Sequence, residues 1–186
     1  MSAPGNAITR SDLALGRDEA EAALQRFVVG HFATVDAAGD PYLVPNLYVY
    51  EAGLIRLHTA ASGHFRHNME ARPRACFEAA EMGEVYPYGE FACDSSASYI
   101  SVVARGSVRI ETDRAAKSRF FDCFLAKSAD PAWEQPGSFY PRIDRVTVYC
   151  LTLEQISGKR ILLPLLAAQW PAVNRTKSPG AVPPSR

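Results

Sequence analysis

The sequence predicts a mainly β protein, an antiparallel barrel with helices packed on its outside. Six segments have the composition or the alternation of strands, and most of them are joined by short hairpin connections. The chain has no strand–helix–strand rhythm, and it lacks the GxGxxG and GxxxxGK[ST] patterns of nucleotide-binding loops. These observations favour one antiparallel domain over a parallel nucleotide-binding fold.

The predicted elements begin with a helix that follows a flexible arm over residues 1–16. The helix starts at Asp18, where Asp18 and Glu21 form a capping-box-like pair ahead of apolar residues at helical spacing. Strands are expected at 28–35, 42–50 and 54–60, separated by a turn at 36–41 and a tight connection at 51–53. A short helix from 63 to about 71 is expected to be capped by Ser62 and stopped by Pro73.

The second half of the chain continues in the same style. A strand at 75–80 precedes a loop at 82–95, and Tyr99–Glu111 is the clearest strand because its polar and apolar residues alternate over a dozen positions. A helix at 113–127, a loop at 128–143 and a last strand at 146–154 complete the pattern. We assign 17–163 to one domain and 164–186 to a Pro-rich C-terminal tail.

Length and composition are those of a soluble globular domain. The 186 residues are 47% hydrophobic and 22% charged. Twenty basic and twenty acidic residues give zero formal net charge, so we expect neither a nucleic-acid partner nor a membrane anchor. No signal core is present, and four widely spaced cysteines predict reduced, mostly buried thiols and a cytoplasmic location: Cys76, Cys93, Cys123 and Cys150.

The segment 54–68 carries the most chemical information. Alternation places Ile55 and Leu57 on the barrel side of the strand, with Arg56 and His58 outside. The small residues from Thr59 to Gly63 would let a ligand approach the backbone.

The start of the short helix is a candidate anion site. The free N–H groups near Gly63 and His64, together with the charge of Arg66, suit a terminal phosphate. A helix with an arginine in its first turn is common, however, and most such helices bind nothing. The segment therefore suggests a site without establishing one.

Two further clusters are candidates for ligand contact. Tyr99 and Ser101 share the polar face of the longest strand, which is otherwise an ordinary solvated face. Pro45 removes a ladder donor and marks an edge or a bulge, so the backbone around Asn46 and Leu47 could contact a flat heterocycle.

Other chemistries are weakly supported. The spacing of His58, His64 and His67 matches no familiar metal site, with only Glu70 nearby, so no metal is predicted. No G-x-S-x-G elbow is present, and no cysteine has a histidine near it in sequence.

The order and spacing of six motifs resemble a known family. They are G-H-F-A-T-V at 30–35, V-P-N-L-Y-V-Y at 44–50, L-H-T-A-A-S-G-H-F-R-H-N at 57–68, P-R-A-C-F-E at 73–78, Y-I-S-V-V-A-R-G at 99–106 and I-S-G-K-R at 156–160. Over about residues 20–160 the chain resembles the pyridoxamine 5'-phosphate oxidase-like flavoproteins. Within them it is most similar to the nitroimidazole-resistance (Nim-type) branch.

The resemblance implies a six-stranded split β-barrel homodimer with two FMN sites at the subunit interface. It makes His58 the catalytic residue that faces flavin and substrate, and it brings Gly63, Arg66 and Asn68 to the phosphate. Phe65 and Ile100 replace basic residues of many relatives. The implied FMN contacts are Pro45, Asn46, Leu47, Arg56, His58, Thr59, Ala60, Gly63, His64, Arg66, Tyr99, Ser101 and Val102.

The function implied by the resemblance is an FMN-dependent oxidoreductase. It would reduce small nitroaromatic or related acceptors, with NAD(P)H or another cellular donor as reductant. The alternatives are a pyridoxamine-phosphate oxidase-like enzyme and a non-enzymatic flavin or haem binder, with an F420-type site also open. The candidate haem ligands are His31, His58, His64 and His67.

Overall fold

The computed structural model describes residues 8–86, 93, 95–133 and 139–163, and in them the mainly β fold is confirmed. Three helices and nine strands account for most of this part of the chain. The helices are α1 (Arg17–Arg26), α2 (His64–Ala71) and α3 (Arg114–Ser128). The strands are β1 (Ala14–Leu15), β2 (Val29–Val35), β3 (Pro41–Leu47), β4 (Val49–Glu51), β5 (Leu54–Ala60), β6 (Arg74–Tyr86), β7 (Ser96–Glu111), β8 (Val146–Thr152) and β9 (Gln155–Ile161).

The sheet closes into a barrel through one continuous piece of chain. Its strand order is β3-β2-β6-β7-β8-β5-β4, and every pairing is antiparallel. The first and last strands of this path, β3 and β4, are separated in sequence only by Tyr48. The path therefore ends on the segment where it began, which gives a barrel with one incompletely paired seam.

The long strand β7 serves two partners along one edge. Its residues 99–105 pair with β9, and its residues 108–111 pair with β8. Gly106 lies at the change of partner, where a Cβ atom would stand 1.7 Å from the carbonyl oxygen of Thr152. Only a residue without a side chain permits this close approach of two backbones.

The alternation predicted for two strands is observed. On β5, Ile55 and Leu57 are fully buried in the barrel, and Arg56 lies on the outer face. On β7, Val102 and Ala104 are fully buried. The interior also contains the large aromatic side chains of Phe32, Tyr48, Phe77 and Tyr149, each of which meets another ring edge to face.

The helices α2 and α3 cover different parts of the barrel. α2 buries Phe65 and Met69 against the core, and the amide of its Asn68 donates a 2.9 Å hydrogen bond to Thr34 Oγ1. α3 packs on the outer face, where Phe120 meets Val148 of β8. Its first turn is capped by the Asp113 carboxylate, so the predicted start of this helix is correct.

Several predicted strand limits are wrong. The expected strand at 42–50 is divided at Tyr48 into β3 and β4. The expected last strand at 146–154 ends at Thr152, and a further strand, β9, follows it. β9 was not predicted because it is only half-buried and contains Gly158 and two basic residues, so its sequence shows no clear alternation. β6 extends to Tyr86 and β7 begins at Ser96, so the predicted loop at 82–95 is shorter.

Both predicted caps at the first two helices are also wrong. α1 begins after Gly16, whose N–H donates to the Glu19 carboxylate at 3.0 Å, so Glu19 and not Glu21 supplies the cap. α2 begins after Gly63, which has a φ of +133°, and Ser62 makes no capping bond. A glycine is favoured there because other residues are strained at that φ.

The predicted arm over 1–16 is ordered in part. Residues 11–13 form a 3-10 helix, and β1 pairs with β9 because Leu15 packs against Gly158. Of the four cysteines, all described as free thiols, only Cys150 is fully buried, and Cys93 is exposed, which corrects the expectation of mostly buried thiols. The tail predicted at 164–186 lies outside the described residues.

None of the helices in the described part of the chain combines the length and apolarity that crossing a bilayer requires.

We expect Gly106→Ala to reduce the free energy of unfolding by at least about 3 kcal/mol, because the new methyl group overlaps the Thr152 carbonyl. Urea denaturation measures this. Gly53→Ala is the control: Gly53 has a φ of +76° and open space around it, so the backbone conformation alone should cost about 1 kcal/mol. Equal losses in the two variants would show that the crossing at Gly106 tolerates a side chain.

Candidate functional site

The seam of the barrel lies between β3 and β5. β4 and β5 pair as far as Val49 and Arg56, and the described chain contains no pairing beyond that point. The same register, continued, sets residues 45–47 opposite residues 58–60. The other edges of β3 and β5 are occupied by β2 and β8. The facing edges at 45–47 and 58–60 therefore hold backbone groups that no strand satisfies, and we call this opening the split.

The beginning of α2 stands at one end of the split, three residues after Ala60. The first helical hydrogen bond runs from the His67 N–H to the Gly63 carbonyl at 3.2 Å, which leaves the N–H groups of 64–66 without a helical acceptor. The His64 ring stacks on Tyr42, with 4.5 Å between ring centroids and 9° between planes. This end of the split has the partial positive charge of a helix N-terminus.

Arg66 is largely engaged within the protein. Its Nε donates to Glu70 at 2.7 Å, and its Nη1 donates to the Ala61 carbonyl at 2.9 Å and to Thr147 Oγ1 at 3.2 Å. The Glu70 carboxylate raises the pKa of the guanidinium, which stays charged. Within the described residues only Nη2 lacks a hydrogen-bond partner. The predicted phosphate ligand is thus also a brace between α2 and β8.

His58 lies on the outer face of β5, at the other end of the split, beneath α3. Its ring meets three phenylalanines of α3 edge to face, with centroid distances of 5.8 Å to Phe120, 5.1 Å to Phe121 and 5.1 Å to Phe124. Its Nδ1 is buried without a partner among the described residues. Burial lowers the pKa of His58 below its ordinary value, so the imidazole is neutral at pH 7.

The remaining predicted contacts on β5 are turned to local partners. Arg56 forms a 2.6 Å ion pair with Glu51, its near neighbour across the hairpin. Thr59 Oγ1 donates to the carbonyl of Ala60 at 2.9 Å, and Ala60 itself is exposed.

The third predicted cluster lies far from the split in the same chain. His58 and Glu111 both pair with Val148, so Glu111 marks the level of His58 on β7. Ser101 lies ten residues before Glu111, about 33 Å along the strand, and Tyr99 lies farther still. The sequence predicted that Tyr99 and Ser101 lie beside the start of α2 on one surface. Within one subunit they do not.

This cluster lies beside β9. The Lys159 ammonium lies 5.6 Å from the centre of the Tyr99 ring, and Ser101 pairs with Lys159 across β7 and β9. Val102 is fully buried in the barrel, so its side chain cannot line a site on the outside. The predicted contact of Val102 with a ligand is therefore limited to its backbone atoms.

Sequence reasoning missed the residues that position the site from a distance. Thr147 receives Arg66, Tyr42 supports the His64 ring, and Phe121 and Phe124 cover His58. The phenylalanine spacing indicated a helix face, but nothing local showed which strand that face covers. Tyr42 and Thr147 gave no signal, because their contacts span 22 and 81 residues of sequence.

In the described ranges, no group of three or more His, Cys, Asp or Glu side chains is placed to hold a metal ion.

The comparisons with known proteins identify the family and the fold. A family model described as pyridoxamine 5'-phosphate oxidase matches residues 16–160, which is most of the chain. No curated protein matches the chain significantly.

Solved structures share the fold at low sequence identity. A candidate 5-nitroimidazole antibiotic resistance protein from Bacteroides thetaiotaomicron is 19% identical, with a TM-score of 0.66 over 79% of this chain and 86% of its own. The flavocytochrome Anf3 from Azotobacter vinelandii is 18% identical, with a TM-score of 0.73 over 85% and 73%. An FAD-binding protein from Mesorhizobium loti is 23% identical, with a TM-score of 0.60 over 80% and 97%.

The buried imidazole predicts a pH dependence of stability. In the unfolded chain His58 takes up a proton near pH 6.5, whereas the folded protein resists that proton, so the free energy of unfolding should fall as the pH drops below 6.5. His58→Phe keeps the aromatic packing and should remove this part of the slope. Urea denaturation between pH 5 and pH 7.5 measures it.

His67→Gln is the matched control, because it removes an exposed histidine from α2. If His58→Phe and His67→Gln change the pH profile equally, the burial of His58 does not produce the slope.

Proposed function

The chain belongs to the pyridoxamine 5'-phosphate oxidase family, and from this premise we propose that it is a flavoprotein that binds FMN along the split. The observation that carries the proposal is the juxtaposition at the split itself. There two unpaired strand edges lead from an aromatic-lined histidine to the N-terminus of α2. The strand edges beside the aromatic-lined histidine suit a planar ring, and the N-terminus of α2 suits a terminal phosphate.

The phosphate would lie at the start of α2. The N–H groups of 64–66 point out of the first turn, and the exposed residues Ala61 to Gly63 leave room for close approach. His64 is the side chain best placed to add a hydrogen bond, and Arg66 contributes charge from behind through its engaged guanidinium. Phe65, which replaces a basic residue of many relatives, is buried in the core and takes no part.

The ring would lie over the backbone edges at 45–47 and 58–60, with His58 beside it. A bound flavin supplies the electron transfer chemistry. The part of this chain is to present a neutral imidazole whose Nδ1 is closed off under α3, which leaves Nε2 to exchange a hydrogen bond or a proton with the substrate. We propose His58 as the catalytic residue on this ground.

A second copy of the chain would complete the site. The outer face of β2 and β3 exposes apolar side chains in cross-strand contact, among them Val29 opposite Leu47. Val35 and Leu43 are exposed on the same face. Such a patch is typical of an interface between protein chains. A homodimer would also explain how Tyr99 and Ser101, remote from His58 within one subunit, contact flavin bound to the other.

We propose that the reaction is the reduction of a small nitroaromatic or related acceptor, with NAD(P)H as the reductant. The support is the fold shared with the Bacteroides protein named for 5-nitroimidazole resistance. Haem is the second candidate ligand, because the Azotobacter neighbour is a flavocytochrome. The flavin-loaded protein should oxidise NADH or NADPH only when a nitro compound is present.

Purified protein should bind FMN, as measured by quenching of flavin fluorescence, and mass spectrometry of the ligand released from native protein should identify it. His64→Glu places a negative charge beside the phosphate and should weaken FMN binding at least about tenfold, a cost of about 1.4 kcal/mol. Riboflavin, which has no phosphate, should bind both proteins equally. His67→Glu, one turn farther along α2, is the control and should have the smaller effect.

Equal weakening of FMN and riboflavin by His64→Glu would contradict the placement of the phosphate. Tighter binding of FAD than of FMN would show that FAD is the cofactor. A strong Soret band in the native protein would show that the bound cofactor is haem and not flavin.

The dimer is tested by Leu43→Glu, which places a charge on the apolar face of β3, where Leu43 is 62% exposed. We expect a monomer in sedimentation analysis and a loss of FMN affinity, because half of the site is then missing. Leu162→Glu changes an equally exposed leucine outside that face and is the control. A wild-type monomer that binds FMN would show that one chain suffices.

A further inference from the structure

A second cavity lies on the opposite side of β5 from the split. It has a volume of about 290 Å³ between α3 and the segment that leads into β8. Its walls are formed almost entirely by carbon atoms of aromatic and aliphatic side chains. The lining residues are Phe121, Phe139, Tyr140, Pro141, Arg142, Ile143 and Val146.

This cavity shares a wall with the His58 environment. Phe121 lies 5.1 Å from the His58 ring centre on one side and 5.3 Å from the Tyr140 ring on the other. Val146 pairs directly with Ala60, and its neighbour but one, Val148, pairs with His58. A molecule in the cavity would therefore lie over β8, which is one strand spacing, roughly 5 Å, from β5.

The polar groups near the cavity are arranged to leave its interior apolar. The Tyr140 hydroxyl donates a 2.8 Å hydrogen bond to the Asp122 carboxylate, and burial beside this acid raises the pKa of Tyr140 to about 12. The phenol is thus neutral and already satisfied. Arg142 is exposed, and its side chain has no ion-pair partner in the part of the chain that the structure describes.

We propose that this cavity binds the ring of a monocyclic aromatic carboxylate, with the carboxylate held at the rim by Arg142. A cavity of roughly 150 Å³ is enough for benzene, so 290 Å³ has room for one substituted ring. The three aromatic walls favour a flat ring over an aliphatic one through edge and face contacts. A guanidinium without a partner favours a planar anion.

Phe121 stands between the cavity and the His58 ring, so a ligand in the cavity would not touch a flavin bound in the split. As a binding site the cavity stands apart from the split. The test therefore measures binding of benzoate to the purified chain, both free of flavin and after loading with FMN, by saturation-transfer NMR and calorimetry.

We expect benzoate to bind the flavin-free protein more tightly than benzyl alcohol, which lacks the charge, and cyclohexanecarboxylate, which lacks the flat ring. Arg142→Gln should weaken benzoate binding about fivefold or more and leave benzyl alcohol unchanged. Arg145→Gln, three residues away, exposed and outside the lining, is the matched control. Phe139→Ala should weaken both aromatic ligands about tenfold, and because Phe139 is 68% exposed the variant should fold normally.

The outcomes separate the two proposals. Benzoate binding without any flavin binding would remove the proposed function and keep the pocket. Flavin binding with no preference for benzoate over cyclohexanecarboxylate, or with equal effects of Arg142→Gln and Arg145→Gln, would overturn the pocket and keep the proposed function. Melting temperatures of all variants identify any loss that comes from unfolding.

Discussion

The fold depends on a close contact between two backbones at Gly106. Because no side chain stands there, the turn between β8 and β9 can cross β7, and one long strand can pair with β9 along its first half and with β8 along its second. β7 thereby joins the two parts of the sheet, and the end strands of these parts, β3 and β4, lie together on the segment 41–51. The split lies between these two end regions, and His58 of β5 lies at its edge beneath α3.

Electrostatic effects at the two ends of the split differ in kind. At α2 the backbone supplies a partial positive charge, and the engaged Arg66 fixes the helix to β8 as well as adding its own charge. At His58 the surroundings are aromatic and apolar, and they keep the imidazole neutral. One end of the opening therefore suits a charged group, and the other suits an uncharged ring and a proton donor or acceptor.

The parts of the structure that depend on local pattern could be predicted from the sequence. The alternation on β5 and β7, the position of helix α3 and the antiparallel class were all expected and observed. The family motifs also named the two edges of the split, although no local rule could show that 45–47 faces 58–60, because that depends on closure of the whole barrel. β9 was missed since its partner, and not its composition, makes it a strand. The contacts of Arg66 with Thr147 and of His58 with α3 join segments that are far apart in sequence, so no local pattern could predict them.

The single residue between β3 and β4 has a mechanical consequence. At Tyr48 the two sides of the split are one covalent chain, and the Tyr48 hydroxyl is tied by a 2.8 Å hydrogen bond to the Leu24 carbonyl of α1. The gap can therefore widen only like an angle with a fixed apex, little at Leu47 and most at Pro45 and Ala60. Any widening is therefore greatest beside the start of α2, at the end of the split that carries the helix N-terminus.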